Sequence, residues 1–168
     1  MDYFSSANQE LHNITVMEAD KYFMKKALEQ AKKALYEGEV PVGAVLIQED
    51  KVISEACNRK ESLNDPTAHA EILAIKEASQ KLGSWRLNGA TLYVTKEPCP
   101  MCAGAIVQAR IERLVFGAKD DKAGAAGTLF NLLQDKRLNH QLEVASGVSR
   151  KECKELLQKF FSKLRSKF

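Results

Sequence analysis

The chain has 168 residues, of which 45% are hydrophobic and 28% are charged. This length and composition fit one globular domain with a packed core. No apolar run approaches the roughly 18 residues of a membrane span, and the N-terminus lacks the basic and apolar regions of a signal peptide. The sequence therefore predicts a cytoplasmic protein that does not contact a membrane.

Positive charge is concentrated at one end of the chain. The formal net charge is only +3, which permits a polyanionic partner but does not establish one. Residues 150–168 contain seven Lys or Arg residues against two Glu residues. The excess positive charge therefore lies in the C-terminal segment.

The N-terminal segment, residues 1–16, contains a polar stretch without periodicity, and we predict that it is a disordered extension. Residues 17–168 are predicted to form a single domain. Thr15 and Glu18 have the spacing of a capping box at the start of a periodic segment. A related hypothesis is that translation starts at Met17, which would make the extension dispensable.

A helix and a hairpin open the domain. From residue 18 to residue 37 apolar side chains recur at helical spacing, and Gly38 ends this predicted helix. Two β-branched segments, 40–47 and 52–57, flank a short polar turn and predict an antiparallel hairpin. A polar loop, residues 58–66, then leads to the second helix.

The remaining elements alternate between helix and strand. They are predicted as helix 67–82, strand 91–95, helix 99–109, strand 113–117, loop 118–127, short helix 128–134, strand 142–145 and helix 149–166. Together with the hairpin, this order predicts an α/β fold. We expect a three-layer α/β/α sandwich around a mixed sheet of about five strands.

The last predicted helix has an apolar stripe and a basic stripe, and Ser149 with Glu152 has capping-box spacing at its start. The apolar stripe is predicted to lie mostly in the core and consists of Cys153, Leu156, Leu157, Phe160, Phe161 and Leu164. The basic stripe consists of Lys159, Lys163 and Lys167. These lysines form either a solvated face or a row of phosphate contacts, with an aromatic side chain beside it for an unpaired base.

Two short motifs carry the chemistry. They are His-Ala-Glu at residues 69–71 and Pro-Cys-Pro-Met-Cys at residues 98–102. Imidazole and thiolate are ligands that zinc prefers, and three ligands leave a fourth position open for a water whose pKa the metal lowers to roughly 7. The sequence therefore indicates a hydrolytic metal site. The predicted ligands are His69, Cys99 and Cys102, and the predicted proton-transfer residue is Glu71.

A structural interpretation of these residues remains as an alternative. His69 alone is typical of a hydrogen-bonded histidine at a helix start, and the two cysteines alone fit half of a zinc knuckle. The chain has no second Cys-x-x-Cys motif, and His140 lies in a polar loop. Cys57 and Cys153 lie in apolar segments, so no disulfide framework is expected. The catalytic interpretation is favoured.

Several stretches resemble the zinc-dependent nucleobase deaminases, whose signature H-x-E…P-C-x-x-C both motifs match. The stretches are Asp65 to Glu71, Thr91 to Thr95 with Glu97 to Cys99, Val115 to Ala118, and Ala123 to Gly127. The resemblance covers roughly residues 17 to 165. It implies the cytidine-deaminase-like fold, a bound Zn²⁺ ion and a homodimer.

The resemblance also implies a substrate and a mechanism. The loop from Gly117 to Gly127 and the basic last helix are closer to family members that act on tRNA. The implied reaction converts adenosine to inosine at the wobble position of a tRNA anticodon loop. Water activated by zinc attacks C6 of adenine, while Glu71 protonates N1 and passes a proton to the departing amine.

Further substrate contacts are carried over from the family. The resemblance places a base-reading amide at Asn58, whose side chain offers both a donor and an acceptor. It places Val42 and Pro98 against the base. The residues that align with contacts to the substrate strand are Asp120, Lys122, Phe160 and Phe161.

Two other functions remain open. A free-nucleobase enzyme such as guanine deaminase shares the Asp65-to-Glu71 and Glu97-to-Cys102 motifs almost completely, so the motifs establish deamination better than they establish substrate. A non-catalytic, zinc-stabilised RNA-binding subunit is the other alternative. The presence of Glu71 argues against it, because such a subunit has no need of a proton shuttle.

Overall fold

The computed structural model describes residues 15–168, and within this range the chain forms four helices and five strands. The predicted disorder of the residues before Thr15 lies outside the described part. The helices are α1 (Val16–Tyr36), α2 (Ala70–Leu82), α3 (Pro100–Gln108) and α4 (Arg150–Arg165). The strands are β1 (Gly43–Gln48), β2 (Lys51–Cys57), β3 (Ala90–Lys96), β4 (Arg113–Ala118) and β5 (Glu143–Ser146). No helix in the described range is long and apolar enough to cross a membrane.

The five strands form one mixed sheet in the order β2-β1-β3-β4-β5. Strand β1 pairs antiparallel with both β2 and β3, whereas β3, β4 and β5 run parallel. Helix α3 connects the parallel neighbours β3 and β4, as a parallel pair requires. The predicted mixed sheet and hairpin are confirmed.

Alternating side chains along the strands bury both faces of the sheet. In β3, Leu92 and Val94 belong to one apolar cluster with residues of α2 and α3, whereas Tyr93 belongs to a second cluster with residues of α1. Because successive strand residues point to opposite faces, this division places helices on both sides of the sheet. The predicted three-layer α/β/α architecture is confirmed.

The start of α1 matches the predicted capping box. Thr15 Oγ1 accepts a hydrogen bond from the Glu18 backbone N–H at 3.3 Å, and Glu18 Oε2 accepts one from the Thr15 N–H at 2.9 Å. The helix begins at Val16. Thr15 is therefore the N-cap of this helix and Val16 its first residue, although the sequence interpretation places both in the N-terminal extension.

Helix α2 begins at Ala70, three residues after the predicted start at Thr67. The prediction was wrong because a local turn competes with the helix. Asp65 Oδ1 accepts hydrogen bonds from the Thr67 N–H at 2.8 Å and the Thr67 hydroxyl at 2.7 Å. Aspartate side chains favour such turns over helical backbone. His69 consequently becomes the N-cap residue, with an extended backbone.

Two other helix predictions also fail in part. Only Leu132–Gln134 is helical within the predicted segment 128–134, as a single 3-10 turn. Just before this segment, Gly127 has φ +129°. The N–H groups of residues 129 and 130 both donate to the carbonyl of residue 124, so a tight turn forms in place of the predicted start of the helix. Ser149 is the N-cap of α4, but its left-handed backbone (φ 51°) leaves its side chain without a capping bond.

The apolar stripe of α4 is only partly in the core. Cys153 is buried and Leu156 and Leu157 are half-buried, whereas Phe161 is 39% exposed and Leu164 is 42% exposed. The predicted core role is wrong for the C-terminal half of the helix. The reason is that α4 packs on β4 and α1 through its N-terminal half and then extends beyond them.

A buried ion pair ties α1 to the parallel strands. Arg113 at the start of β4 donates to both carboxylate oxygens of Asp20, at 2.6 and 2.8 Å. The Tyr93 hydroxyl donates to the same carboxylate at 2.8 Å, and Arg113 Nε donates to Glu143 of β5 at 3.1 Å. Asp20 is 5% exposed, so these partners replace water as its hydrogen-bond donors.

The loop that follows β4, residues 119–128 and here called the β4 loop, is held against the end of β3. Three consecutive residues of the β3 end contact it through one ion pair and two hydrogen bonds. These are Lys96 Nζ to Asp120 Oδ2 at 3.0 Å, Thr128 Oγ1 to Glu97 Oε1 at 2.7 Å, and Ala125 N to the Pro98 carbonyl at 2.8 Å. The β4 loop is therefore attached immediately before the first cysteine of the site.

Replacing Asp20 with Ala should destabilise the protein strongly. The change leaves the Arg113 guanidinium partly buried without its main anion, and breaking a buried pair in this way costs about 3–5 kcal/mol. Urea denaturation would measure the loss of unfolding free energy. As a control, E77A removes the exposed Glu77–Lys81 pair, which should cost no more than about 0.5 kcal/mol. Equal losses in both variants would contradict the role of the buried pair.

Replacing Gly124 with Ala should also destabilise the protein. A Cβ at this position would overlap Glu97 Oε2 and lie 2.5 Å from the Asp120 carbonyl oxygen. Overpacking of this kind costs about 1–3 kcal/mol, measured by the same denaturation. The matched control is G104A in α3, where a Cβ meets no atom within 4 Å. Ala at that helical position should stabilise by about 0.5–1 kcal/mol. A G124A variant as stable as wild type would refute the close contact.

Candidate active site

His69, Cys99 and Cys102 form a compact group whose ligand atoms all lie within 4.8 Å of one another. His69 Nδ1 is 3.7 Å from Cys99 Sγ and 3.3 Å from Cys102 Sγ. Cys102 is fully buried, and the other two side chains are half-buried. This group, here called the metal group, could hold a metal ion with one side left accessible.

Two helix starts place these side chains. His69 is the N-cap of α2 and Cys99 is the N-cap of α3, and neither side chain forms a capping hydrogen bond. Pro100 follows as the first residue of α3, where its fixed φ suits the helix and its missing N–H is not needed. The positive ends of two helix dipoles consequently face the same point and favour negative charge there.

The protonation of the two cysteines differs. Hydrogen bonds from the Cys102 thiol and from His69 lower the pKa of Cys99 to about 4, against the opposing effect of burial. The same contact with Cys99, together with burial, raises the pKa of Cys102. Cys99 is therefore a thiolate at neutral pH, and a divalent cation would have to displace the proton of Cys102.

Glu71 lies one residue into α2 and is 4% exposed. Burial raises the pKa of its carboxyl group above the usual range, against the effect of hydrogen bonding to its own backbone N–H and of His69. A carboxyl group with a raised pKa can both accept and release a proton near neutral pH. Its position suits proton transfer at the metal group.

A cavity of about 170 Å³ opens onto this group. It is smaller than the roughly 300–1,000 Å³ of sites for drug-sized ligands, so it suits a single planar base. Among the residues predicted to bind substrate, Val42, Asn58 and Asp120 line it, alongside Glu71 and His69.

The other predicted substrate contacts lie outside the cavity wall. Pro98 is buried and accepts a hydrogen bond from the β4 loop. Lys122 is exposed on that loop. Phe160 and Phe161 lie on α4, where their rings pack edge to face with centroids 5.2 Å apart. Their roles toward the substrate stay predictions.

Three charged residues that the sequence interpretation missed also line the cavity: Lys60, Lys96 and Glu97. Lys96 and Glu97 directly precede Pro98 and Cys99 in sequence, and that adjacency is the signal that could have identified them. Lys60 lies two residues after Asn58. The cavity is therefore more highly charged than its predicted residues suggested.

Two buried acceptor atoms at the cavity have no hydrogen-bond partner among the described residues, Asn58 Oδ1 and Glu97 Oε2. Asn58 is 6% exposed and its Nδ2 donates to the Val40 carbonyl at 3.4 Å, so its carbonyl oxygen remains available. A buried acceptor without a donor is costly. A ligand that offers donor groups would relieve this cost.

His140 does not contribute to the site. Its Nε2 lies 2.7 Å from the carbonyl oxygen of Ile111, just before the start of β4, whereas Cys99 follows the end of the parallel strand β3. Among the described residues, the group of potential ligands contains only His69, Cys99 and Cys102. None of the four cysteines takes part in a disulfide bond in the structure.

The chain is similar to known proteins over nearly all of its described length. A family profile for MafB19-like deaminase matches residues 17–165. A tRNA-specific adenosine deaminase of Bacillus subtilis is 56% identical over 151 residues, which is 90% of this chain and 94% of the relative. One of Haemophilus influenzae with the same description is 50% identical over 88% of this chain and 86% of the relative.

Solved structures agree with these sequence relatives. A structure from a study of A-to-I editing by tRNA:A34 deaminases at the wobble position of transfer RNA has a TM-score of 0.79 and 47% identity. It covers 81% of this chain and 99% of its own. A guanine deaminase of Nitrosomonas europaea, at 24% identity and a TM-score of 0.75 over 84% of each chain, shares the fold. The chain belongs to the tRNA-specific adenosine deaminases, within the wider family of nucleobase deaminases.

Proposed function

We propose that this protein hydrolyses the exocyclic amine of adenosine to give inosine in tRNA, at the wobble position of the anticodon. The observation that carries the proposal is the placement of Glu71 beside the His69, Cys99 and Cys102 group in a cavity of base size. The 47–56% identical relatives that act on tRNA support the substrate class. A tRNA substrate is consistent with action in the cytoplasm.

We infer that the metal is Zn²⁺. With Zn–S and Zn–N bonds of about 2.3 and 2.05 Å, a tetrahedral ion separates its sulfur and nitrogen ligands by about 3.6 Å. The separations of 3.3 and 3.7 Å between His69 Nδ1 and the two sulfurs bracket this value. Three protein ligands would leave a fourth position for water, and the bound ion would lower the pKa of that water.

Glu71 is the residue that moves protons. Adenosine and water give inosine and ammonia, so one proton must reach N1 of the ring and another must reach the departing amine. A single carboxylate can accept a proton from water and deliver it to N1, then repeat the transfer to the amine. Because Glu71 is buried beside His69, no bulk water competes for these protons.

Asn58 would read the base or its ribose through its free carbonyl oxygen. That oxygen is buried at the cavity and has no donor within the described residues, so a substrate N–H or O–H that reaches it gains a full hydrogen bond. Val42 would pack against the face of the base. A base must leave its stack to enter, which costs less in an anticodon loop than in a duplex.

Contacts with the rest of the tRNA would come from α4. Lys159, Lys163 and Lys167 are exposed, as is Phe161. The core does not use this half of the helix, so the phosphate-binding alternative for its basic stripe gains support. Lys159 and Lys163 are about one turn apart on α4, and Lys167 lies in the turn just after the helix ends, so the three lysines can follow a strand of phosphates.

We also propose that the protein forms a homodimer. Met101 lies between the two cysteines of the site and is 37% exposed, and Leu129 and Phe130 follow the β4 loop and are 52% and 54% exposed. Large apolar side chains at the surface are typical of interfaces between subunits.

Replacing Glu71 with Gln should abolish turnover and leave the metal in place. The amide cannot carry protons, and loss of general acid–base catalysis lowers rates by about 10²–10⁴-fold. The assay uses unmodified tRNA with adenosine at the first anticodon position and measures inosine, with metal content determined on the same sample. The control is E77Q on the same helix, whose partly exposed carboxylate pairs with Lys81.

The same assay separates the candidate substrates. Wild-type protein should form inosine in the tRNA and release no ammonia from free guanine. Ammonia from guanine alone would overturn the tRNA assignment in favour of a free-base deaminase. Full activity of E71Q would exclude Glu71 as the proton carrier.

A double substitution of Lys163 and Lys167 with Ala should weaken tRNA binding in a salt-dependent way. Each phosphate contact with a single strand contributes about 0.7 to the slope of log K against log salt, so the slope should fall by about 1.4. Fluorescence anisotropy with labelled tRNA at several salt concentrations measures it. The control is K51A/K76A, which removes two exposed lysines of β2 and α2. Equal slopes for both double variants would show that α4 is merely a solvated face.

A further inference from the structure

Lys96 and Asp120 form an ion pair in the wall of the cavity. Lys96 is the last residue of β3, and its Nζ lies 3.0 Å from Asp120 Oδ2. The side chains are 29% and 10% exposed, respectively, and both residues line the cavity that holds Glu71. The pair is thus part of the site, although neither the signature motifs nor the metal group includes Lys96.

Asp120 is held in one orientation by its partners. Its Oδ1 accepts hydrogen bonds from the backbone N–H groups of Lys122 and Ala123, at 3.0 and 3.2 Å. Its Oδ2 faces Lys96, which is its only ion-pair partner among the described residues. Burial alone would raise the pKa of Asp120, but Lys96 and the two N–H groups together lower it. Asp120 therefore stays ionised.

Without Lys96, the charges around the cavity would repel a nucleic acid. Asp120 and Glu97 both line the wall and carry carboxyl groups, and Lys60, the other lysine of the wall, is exposed to solvent. A strand that inserts one base brings its flanking phosphates to this rim. An unpaired, mostly buried carboxylate there repels those phosphates through a region of low dielectric.

We propose that Lys96 is a positioning residue that orients Asp120 and cancels its charge, which allows a phosphodiester strand to approach the cavity. This inference rests on the proposed function, because only a polynucleotide substrate brings phosphates to the rim. A free base would not need the ion pair. Lys96 acts through Asp120 and does not itself contact the substrate.

A double-mutant cycle tests this role, with K96M, D120N and K96M/D120N compared with wild type. Met keeps the length and apolar stem of Lys, and Asn keeps the shape of Asp. In the wild-type background K96M should raise KM for tRNA about tenfold, which corresponds to about 1.4 kcal/mol of lost binding. In the D120N background the same change should raise KM less than about twofold, because no charge remains to be cancelled.

Three further readouts separate positioning from a general structural effect. The kcat of K96M at saturating tRNA should stay within about twofold of wild type, since Glu71 and the metal group are untouched. Metal content and thermal midpoint should match wild type. K96R should keep the wild-type KM, because it preserves the pair. The control K81M removes the lysine of the exposed pair at the far end of α2 and should leave KM unchanged.

Each outcome bears on one claim. A tenfold rise in KM that persists in the D120N background would show that Lys96 contacts the substrate directly, which overturns the inference. An unchanged KM in K96M also overturns it. A thermal midpoint of K96M well below that of wild type would show that the pair stabilises the fold, which would contradict the inference. Wild-type protein inactive on tRNA would reject the proposed function itself, a result distinct from all of these.

Discussion

The candidate active site depends on two N-cap residues whose side chains form no capping hydrogen bond. An ordinary N-cap side chain accepts a hydrogen bond from the first turn of its helix. His69 and Cys99 occupy that position without doing so, which leaves their side chains free to meet. Two potential metal ligands therefore lie at the positive ends of two helix dipoles, and one of them, Cys99, is the first cysteine of the Cys-x-x-Cys motif. Pro100 enforces the start of α3 and so fixes the direction of Cys99.

Charge pairs hold the parallel strands at both ends. At their starts, Arg113 joins Asp20 of α1 to Glu143 of β5. At their carboxyl ends, Lys96 of β3 joins Asp120 just beyond β4. The carboxyl end of a parallel sheet is where α/β proteins place their ligand sites, and here the metal group follows β3 directly. Ion pairs at both ends therefore hold the parallel strands in place and fix the geometry of the carboxyl end, where the candidate site lies.

Local patterns in the sequence predicted most of the fold, and long-range contacts account for the rest. Apolar, β-branched segments predicted the hairpin strands, and the spacing of His69, Cys99 and Cys102 predicted a common site. The late start of α2 depends on a competing turn at Asp65, and the tight turn after Gly127 is held by a contact between Thr128 and Glu97. Lys96 lies close to the Pro98-to-Cys102 motif in sequence, but its pairing with Asp120 is a long-range contact that no periodicity encodes. The exposure of Phe161 likewise depends on where α1 and β4 end relative to α4.

The attachment of the β4 loop to residues 96–98 means that the two segments constrain each other's sequence. The ion pair of Lys96, the hydrogen bond of Glu97 and the carbonyl of Pro98 each require a matching residue or backbone position in the loop. Gly124 has no room for a side chain against Glu97. A β4 loop without a carboxylate at position 120, a hydroxyl at position 128 or a glycine at position 124 would lose these contacts, so substitutions in the loop and in residues 96–98 depend on one another.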